Sequence, residues 1–182
     1  MPERADHPIP AGLAEQGDEA QASQLLALVV ERLESAGDDA TRVTALRAIA
    51  NSTNAKAFSK VVPFLSNERA EIRVAAIDAL RLMQHPEVDA RLQSAMHDER
   101  VNVRIAAVEA ASRRAPADPL RAAVLALAQT EREPHVRLAA VKTLVAWLPS
   151  KPELRAALAQ IGKTDSVDDI KKEVNLALEK SP

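Results

Sequence analysis

Apolar residues recur in this sequence with the spacing of one face of an α-helix. Counted from Ile72 as offset 0, small or apolar residues occupy offsets 0, 3, 4, 7, 8 and 11, namely Ile72, Ala75, Ala76, Ala79, Leu80 and Met83. Most of these offsets are also small or apolar in the segments that begin at Val103 and Val136. A period of 3.6 residues predicts amphipathic helices that each bury one stripe of side chains.

These helical segments are copies of one short phrase that occurs five times. Its second position is always basic, and the basic residues lie 31, 31, 33 and 34 residues apart: Arg42, Arg73, Arg104, Arg137 and Lys171. A period of this length indicates stacked structural repeats, because one such unit cannot bury its apolar face without a neighbour. The sequence therefore predicts an all-α array of about five units.

A looser helical pattern precedes each copy, so each unit is predicted to hold a first and a second helix. The opening first helix is expected to bury Leu25, Leu28, Val29 and Leu33, and the next one Phe58, Val61, Val62 and Leu65. Residues 1–19 contain three prolines and two glycines with little periodicity. They predict a flexible tail, followed by one helical array over residues 20–182.

Composition narrows the possible functions. Apolar residues make up 47% of the 182 residues but aromatic residues only 2%, which favours helices packed through Ala, Leu, Val and Ile over a β-sandwich. The 24 basic residues are balanced by 26 acidic ones, which argues against a dedicated nucleic-acid binder. Cysteine is absent, and neither a secretory signal nor an apolar run of membrane-spanning length is visible. We therefore expect a cytoplasmic protein, or an extracytoplasmic one if a leader was removed.

The sequence offers no recognisable catalytic or metal-binding motif. It contains no His-Glu dipeptide, no His-Glu-x-x-His, no glycine-rich phosphate loop and no serine elbow. We therefore predict a non-enzymatic protein with no catalytic residues, no cofactor and no metal site. The single tryptophan, Trp147, continues the apolar stripe of its helix and is predicted to lie in the core.

The repeated phrase allows a resemblance to be named. The pattern Val-Arg-x-Ala-Ala-x-x-Ala-Leu, preceded by an acidic turn such as the one over residues 97–100, resembles the HEAT repeat in its short, bilin-lyase-like form, over roughly residues 20–180. This resemblance implies a right-handed α-α superhelix that serves as a scaffold or adaptor for another protein. Several runs between Leu46 and Pro116 also resemble the helical domain of vitellogenin-type lipid-transfer proteins. That likeness implies an alternative, a helical module that cradles β-structure of another domain or chain, and only then would lipid be a partner.

The five basic residues at the second position of the repeats are called the basic column below, and they have two interpretations. Five residues before the first apolar position of successive second helices lie Asn67, Asp98, Glu131 and Asp165. Pairing between these residues and the basic column would form a ladder of hydrogen bonds and salt bridges between units. The functional alternative is a stripe that binds phosphate groups.

The candidate binding surface is the concave side of the array, which second helices line in solenoids. Offset 2 of the second helices points away from the predicted stripe and is nevertheless apolar in four units. The predicted partner-binding residues are this column, its charged neighbours at offset 6, and one arginine at offset 9: Val43, Val74, Ile105, Leu138, Arg47, Asp78, Glu109, Lys142 and Arg81. The apolar column either lines an open groove for a protein partner or packs between neighbouring second helices, and the sequence leaves both interpretations open.

Overall fold

The computed structural model describes the backbone of residues 11–51 and 55–180, with side chains from residue 20 onward in these ranges. The described residues form ten α-helices and no strand. The helices are α1 (Ala11–Glu34), α2 (Asp39–Ala50), α3 (Phe58–Val61), α4 (Ala70–Leu80), α5 (Val88–Ala95), α6 (Val101–Ser112), α7 (Asp118–Thr130), α8 (Pro134–Trp147), α9 (Leu154–Thr164) and α10 (Asp168–Lys180).

The helices form five two-helix units, as the repeat predicts. Odd-numbered helices are the first helices of the units, and even-numbered helices are the second helices that carry the repeated phrase. Second helices contact one another along the whole array, α2 with α4, α4 with α6, α6 with α8 and α8 with α10. In the described residues, the first helices contact one another far less. Because the more closely spaced layer of a curved array is its inner side, the second helices form the concave face.

The chain becomes helical earlier than predicted. Helix α1 begins at Ala11, so residues 11–19 are helical, whereas residues 1–10 lie outside the described part. The flexible tail over residues 1–19 stays a prediction. The segment from Ala11 to Glu19 contains Ala, Leu, Glu and Gln, whose helix propensities outweigh two glycines.

The first helix of the second unit is interrupted. The four-residue helix α3 is flanked by 3₁₀ turns over Ala55–Ala57 and Val62–Ser66. Pro63 lies at the start of the second of these turns, and a proline inside a helix removes a backbone hydrogen bond and clashes with the preceding turn. Phe58 and Val61 are nevertheless buried, as the spacing predicts, while Val62 and Leu65 are half-buried.

The core lies between the two helical layers, and its stripe is rotated from the predicted one. Offsets 0, 4, 7 and 8 of α4, α6 and α8 are buried, which confirms most of the pattern. Offset 5 is buried as well, at Ile77, Val108 and Val141. Offset 3 is half-buried in α6 and α8, at Ala106 and Ala139. The buried arc is therefore rotated from offset 3 towards offset 5.

The first unit differs from the prediction in its exposed side chains. Leu25 and Leu28 were expected in the core, but they are 59% and 62% exposed. Leu33 lies in the core as predicted, Val29 is half-buried, and Leu26, which was not predicted, is buried as well. The prediction is wrong for Leu25 and Leu28 because no element in the described part of the chain covers them. At the other end, the outward positions of α10 are polar and exposed, with Lys172, Asn175 and Glu179 at offsets 2, 5 and 9.

Arg114 connects three consecutive units at the edge where the second helices end. Its guanidinium group forms an ion pair with Asp89 of α5 and donates a hydrogen bond to the Met83 carbonyl at 2.8 Å. Its own carbonyl accepts a hydrogen bond of 3.1 Å from the indole Nε1 of Trp147. Trp147 is buried, as predicted, and its one polar atom is satisfied by the neighbouring unit.

Candidate functional site

A groove of about 280 Å³ lies on the concave face between α2, α4 and α6. Five of the nine predicted partner-binding residues line it, together with four residues that were not predicted. The predicted residues are Arg47, Val74, Asp78, Arg81 and Glu109, and the others are Ala75, Ala106, Ala110 and Arg113. The structure thus brings together charged residues from three consecutive units around a small apolar surface.

Small side chains create the space in this groove. Helices α4 and α6 face each other through Ala75, Ala106 and Ala110, and each of these alanines ends at its Cβ atom. Val74 is half-buried beside them and also packs against the core. The groove is therefore shallow and apolar at its base, with longer charged side chains at its rim.

The charges around the groove differ in their pairing. The Asp78 carboxylate accepts a hydrogen bond of 2.6 Å from Arg81 Nη1, and Arg81 Nη2 also lies 3.4 Å from Asn51 Oδ1 of the first unit. In the described part of the chain, Arg47, Glu109 and Arg113 have no ion-pair partner and are exposed. Two guanidinium groups and one carboxylate are therefore available to a bound molecule.

The other four predicted residues lie outside this groove. Val43, Ile105 and Leu138 are half-buried and pack against the core, and Lys142 is exposed on α8. The apolar offset-2 column is thus partly covered at every position. In the fifth unit, offset 2 is the exposed Lys172. Each of the four apolar members is half-buried against the core, and Val74 also faces the groove.

Of the four groove residues that were not predicted, Arg113 could have been found from the sequence. Arg113 follows Glu109 by four residues, much as Arg81 follows Asp78 by three. Both arginines therefore lie one helical turn beyond an acidic residue on the concave side. The alanines carried no such signal, because alanine is common both in a buried stripe and at a groove base.

The basic column forms the predicted ladder in three places. Arg73 donates to both oxygens of Asp98 at 2.8 Å, and its Nη1 donates to the carbonyls of Asn67 and Glu68. Arg104 binds Glu131 in the same way, at 3.1 and 3.2 Å. Arg137 binds Asp165 at 2.9 and 3.1 Å. Each arginine thus joins the turn of its own unit to the acidic residue of the next.

The ladder shifts the pKa values of its members. Hydrogen bonds from Arg137 hold the pKa of Asp165 below its ordinary value, despite the opposing effect of burial. Burial raises the pKa of Asp98, but the hydrogen bonds from Arg73 and from the Arg100 backbone outweigh it, so that this pKa is also lowered. The Asp165 carboxylate in turn raises the pKa of Arg137. The ion pairs are therefore fully formed at neutral pH.

The ladder is incomplete at both ends. Arg42 lies at the first position, but the expected acidic partner is Asn67, whose Oδ1 accepts a hydrogen bond from Arg69 N. Arg42 bonds instead to Asp39 at 2.9 Å and to the Ala36 carbonyl at 2.9 Å. At the other end, Lys171 lies 3.4 Å from Asp168 within its own helix.

The alternative of a phosphate-binding stripe does not fit this geometry. The side chains of Arg73, Arg104 and Arg137 are only 9%, 14% and 12% exposed. Their donors are used by carboxylates and carbonyls of the fold. A phosphate group could bind them only by breaking the ladder that joins the units.

Two further properties concern the described residues. They contain no group of three or more His, Cys, Asp or Glu side chains placed to hold a metal ion. None of their helices combines the length and the hydropathy that crossing a membrane requires. The prediction that the protein uses no metal or cofactor stays a prediction.

Residues 26–112 match the family model of HEAT repeats. These residues are HEAT repeats. The match covers α2 to α6 and every residue that lines the groove except Arg113. HEAT repeats generally serve as scaffolds for protein interactions.

No curated protein matches the sequence, and the resemblance to vitellogenin-type proteins has no support among the comparisons. The last two units continue the same helical pairing beyond the matched HEAT repeats.

Proposed function

We propose that this chain is a non-enzymatic interaction module that binds a segment of another protein in the concave groove between α2, α4 and α6. One observation carries the proposal: the groove places charged side chains without ion-pair partners, from the first and third units, around an apolar base. Interfaces between proteins commonly combine an apolar centre with a polar rim. The HEAT-repeat match over these helices supports the same class of function.

The charges indicate what kind of segment would fit. Arg47 and Arg113 supply two guanidinium groups, whereas Glu109 supplies one carboxylate, and none of these has an ion-pair partner among the described residues. The segment would therefore carry acidic residues for the arginines and small or apolar residues for the alanine base. Guanidinium groups bind carboxylates through two parallel hydrogen bonds, which gives such contacts a defined geometry.

A charge-reversal experiment tests this proposal. The variant Arg47→Glu/Arg113→Glu changes two exposed residues, so its helical circular dichroism and melting temperature should stay close to those of the original protein. Immobilised original and variant proteins are compared for the proteins that they capture from a native lysate, identified by mass spectrometry. Proteins that bind in the groove should be lost from the variant.

A matched control makes the result specific. Lys163→Glu/Arg132→Glu reverses two exposed basic charges away from the groove and should retain the captured proteins. If the groove variant retains every protein that the original captures, the concave groove is not the binding surface. The absence of cysteine is consistent with a reducing compartment such as the cytoplasm, which makes a cytoplasmic lysate the first choice.

A further inference from the structure

Two exposed charges of the groove lie on neighbouring turns at the end of α6 and do not pair with each other. Glu109 lies in the last turn of α6, and Arg113 is its C-cap residue, four residues further along the chain. Glutamate and arginine at this spacing can form an ion pair, as Glu87 and Arg91 do at 2.7 Å. In the described part of the chain, neither Glu109 nor Arg113 has an ion-pair partner. Both charges can therefore meet opposite charges on a bound segment.

The third unpaired charge, Arg47, is two units away from this couple. Arg47 and Glu109 both lie at offset 6, on α2 and α6, and both line the groove. Packed helices lie about 8–10 Å apart, so the two positions are separated by about 16–20 Å. An extended segment advances about 3.3 Å per residue and covers this distance in about five or six residues. A helical segment advances about 1.5 Å per residue and needs about eleven to thirteen.

The form of the groove favours the extended segment. A helix of about twelve residues is about 18 Å long and about 10 Å wide. The groove encloses only about 280 Å³, and alanines form its base. In an extended segment every second side chain points to the same side. Short side chains can therefore enter the groove while the backbone of the segment stays on the open side, where water satisfies its polar groups.

The centre of the groove offers no unpaired charge. Asp78 and Arg81 of α4 are joined by a hydrogen bond of 2.6 Å, and Arg81 also lies 3.4 Å from Asn51. A charged residue in the middle of the segment would gain little, because it would have to displace one member of this pair. Short uncharged residues therefore suit the part of the segment that crosses α4.

We infer that the groove recognises an extended segment of mixed charge. An acidic residue binds Arg47, and about six residues along the segment an adjacent basic and acidic residue bind Glu109 and Arg113. This inference rests on the proposed function and adds the conformation of the segment, its spacing and its basic residue. Glu109 and Arg113 lie about 6 Å apart along the helix direction. Neighbouring side chains of an extended segment point in opposite directions, so one reaches Glu109 and the next reaches Arg113.

Phage display on the immobilised full chain tests this pattern. The library holds random peptides of about sixteen residues, which is long enough for either the extended or the helical spacing. Peptides that bind in the groove are those whose recovery falls by about tenfold or more on the Arg47→Glu/Arg113→Glu variant. These peptides should share an acidic residue separated by about six residues from an adjacent basic and acidic pair, in one of the two chain directions.

A charge swap at Glu109 tests the basic residue of the segment. Glu109→Lys changes an exposed residue, so the helical circular dichroism should stay that of the original protein. A fluorescein-labelled synthetic peptide with the selected pattern should bind this variant about tenfold more weakly in an anisotropy titration. Replacing the basic residue of the peptide with glutamate should reverse the preference. Glu179→Lys, an exposed change on α10, is the control and should bind both peptides as the original does.

The outcomes separate this inference from the function on which it rests. Groove-dependent peptides with a spacing of about twelve residues, or with acidic residues alone, would overturn the inference and leave the proposed function standing. An unchanged peptide preference in Glu109→Lys would do the same. If no peptide were enriched, or if every enriched peptide bound Arg47→Glu/Arg113→Glu as well as the original, the proposed function would fail together with the inference.

Discussion

Small residues determine how closely the second helices approach one another. Ala107 is fully buried in α6, whereas its neighbour Ala106 is half-buried in the groove. Adjacent residues of one helix point about 100° apart, so the two alanines lie in different surroundings. The same residue type thus closes the core at one position and opens a groove at the next.

Ala107→Leu should destabilise the protein by about 1–3 kcal/mol, because three added carbon atoms must fit where helices already touch. For a chain of this size, the melting temperature should fall by roughly 2–4 °C for each kcal/mol. The matched control is Ala106→Leu, which extends into the groove and should cost much less. If Ala106→Leu proved the more damaging change, the assignment of the buried stripe would be wrong.

The Asp165 carboxylate should contribute to stability against acid. Its side chain is 6% exposed and its pKa is lowered in the folded state by Arg137. A lowered folded pKa gives stability that is present above the unfolded value of 3.8 and is lost as the pH falls through the folded pKa. Asp165→Asn should therefore be less stable than the original at neutral pH, and its stability should fall less steeply below pH 3.8.

Urea unfolding at a series of pH values checks this expectation. Asp169→Asn changes a carboxylate that is 76% exposed and provides the control, whose acid profile should follow that of the original protein. Parallel profiles for the original and Asp165→Asn would show that this ion pair makes no contribution to acid sensitivity.

At the scale of helices, the ladder gives successive units a common relative position. Asp98, Glu131 and Asp165 each accept a backbone N–H two residues ahead, at Arg100, Glu133 and Val167, and each binds an arginine of the preceding unit. Asn67 also accepts a backbone N–H two residues ahead, from Arg69. Its amide is neutral, however, and lacks the negative charge that binds the arginine of the preceding unit. The joint between the first and second units therefore lacks one interaction that the next three joints possess.

Asn67→Asp should complete the ladder. Arg42 precedes Asn67 by 25 residues, the separation that also relates Arg73 to Asp98. A hydrogen-bonded charge pair at this joint should raise stability by about 1 kcal/mol, or roughly 2–4 °C in melting temperature. Asn175→Asp, an exposed change on α10, should bring no such increase. An unchanged melting temperature for Asn67→Asp would mean that Arg42 does not turn from Asp39 towards the new carboxylate.

The sequence predicted the helices better than it predicted their surfaces. Repeated spacing was sufficient for the five units, the ladder and the burial of Trp147, because each depends on residues at a fixed separation. It could not show that Leu25 and Leu28 lack a neighbour, since exposure of an end depends on what adjoins it. It also placed Val43, Ile105, Leu138 and Lys142 with the groove residues, because the width of a groove depends on how two helices lie relative to each other.

At the scale of the whole molecule, each unit contacts little beyond its neighbours. In such an array, stability is a sum of unit and joint contributions, and unfolding can begin at one place and spread. The protein has one tryptophan and no tyrosine, and that indole is bonded to the carbonyl of Arg114 in the preceding unit. Near-ultraviolet emission therefore originates almost entirely from the joint between the third and fourth units.

This indole turns thermal unfolding into a measurement of cooperativity. Emission follows one joint, whereas far-ultraviolet circular dichroism sums the helices of all five units. With Ala107→Leu weakening α6 near that joint, the emission midpoint should fall by several degrees more than the dichroism midpoint if units unfold separately. Coincident midpoints would contradict this and mean that all five units unfold together. The fraction of the helical dichroism that is lost together with the emission would then give the share of the array that unfolds as one block with this joint.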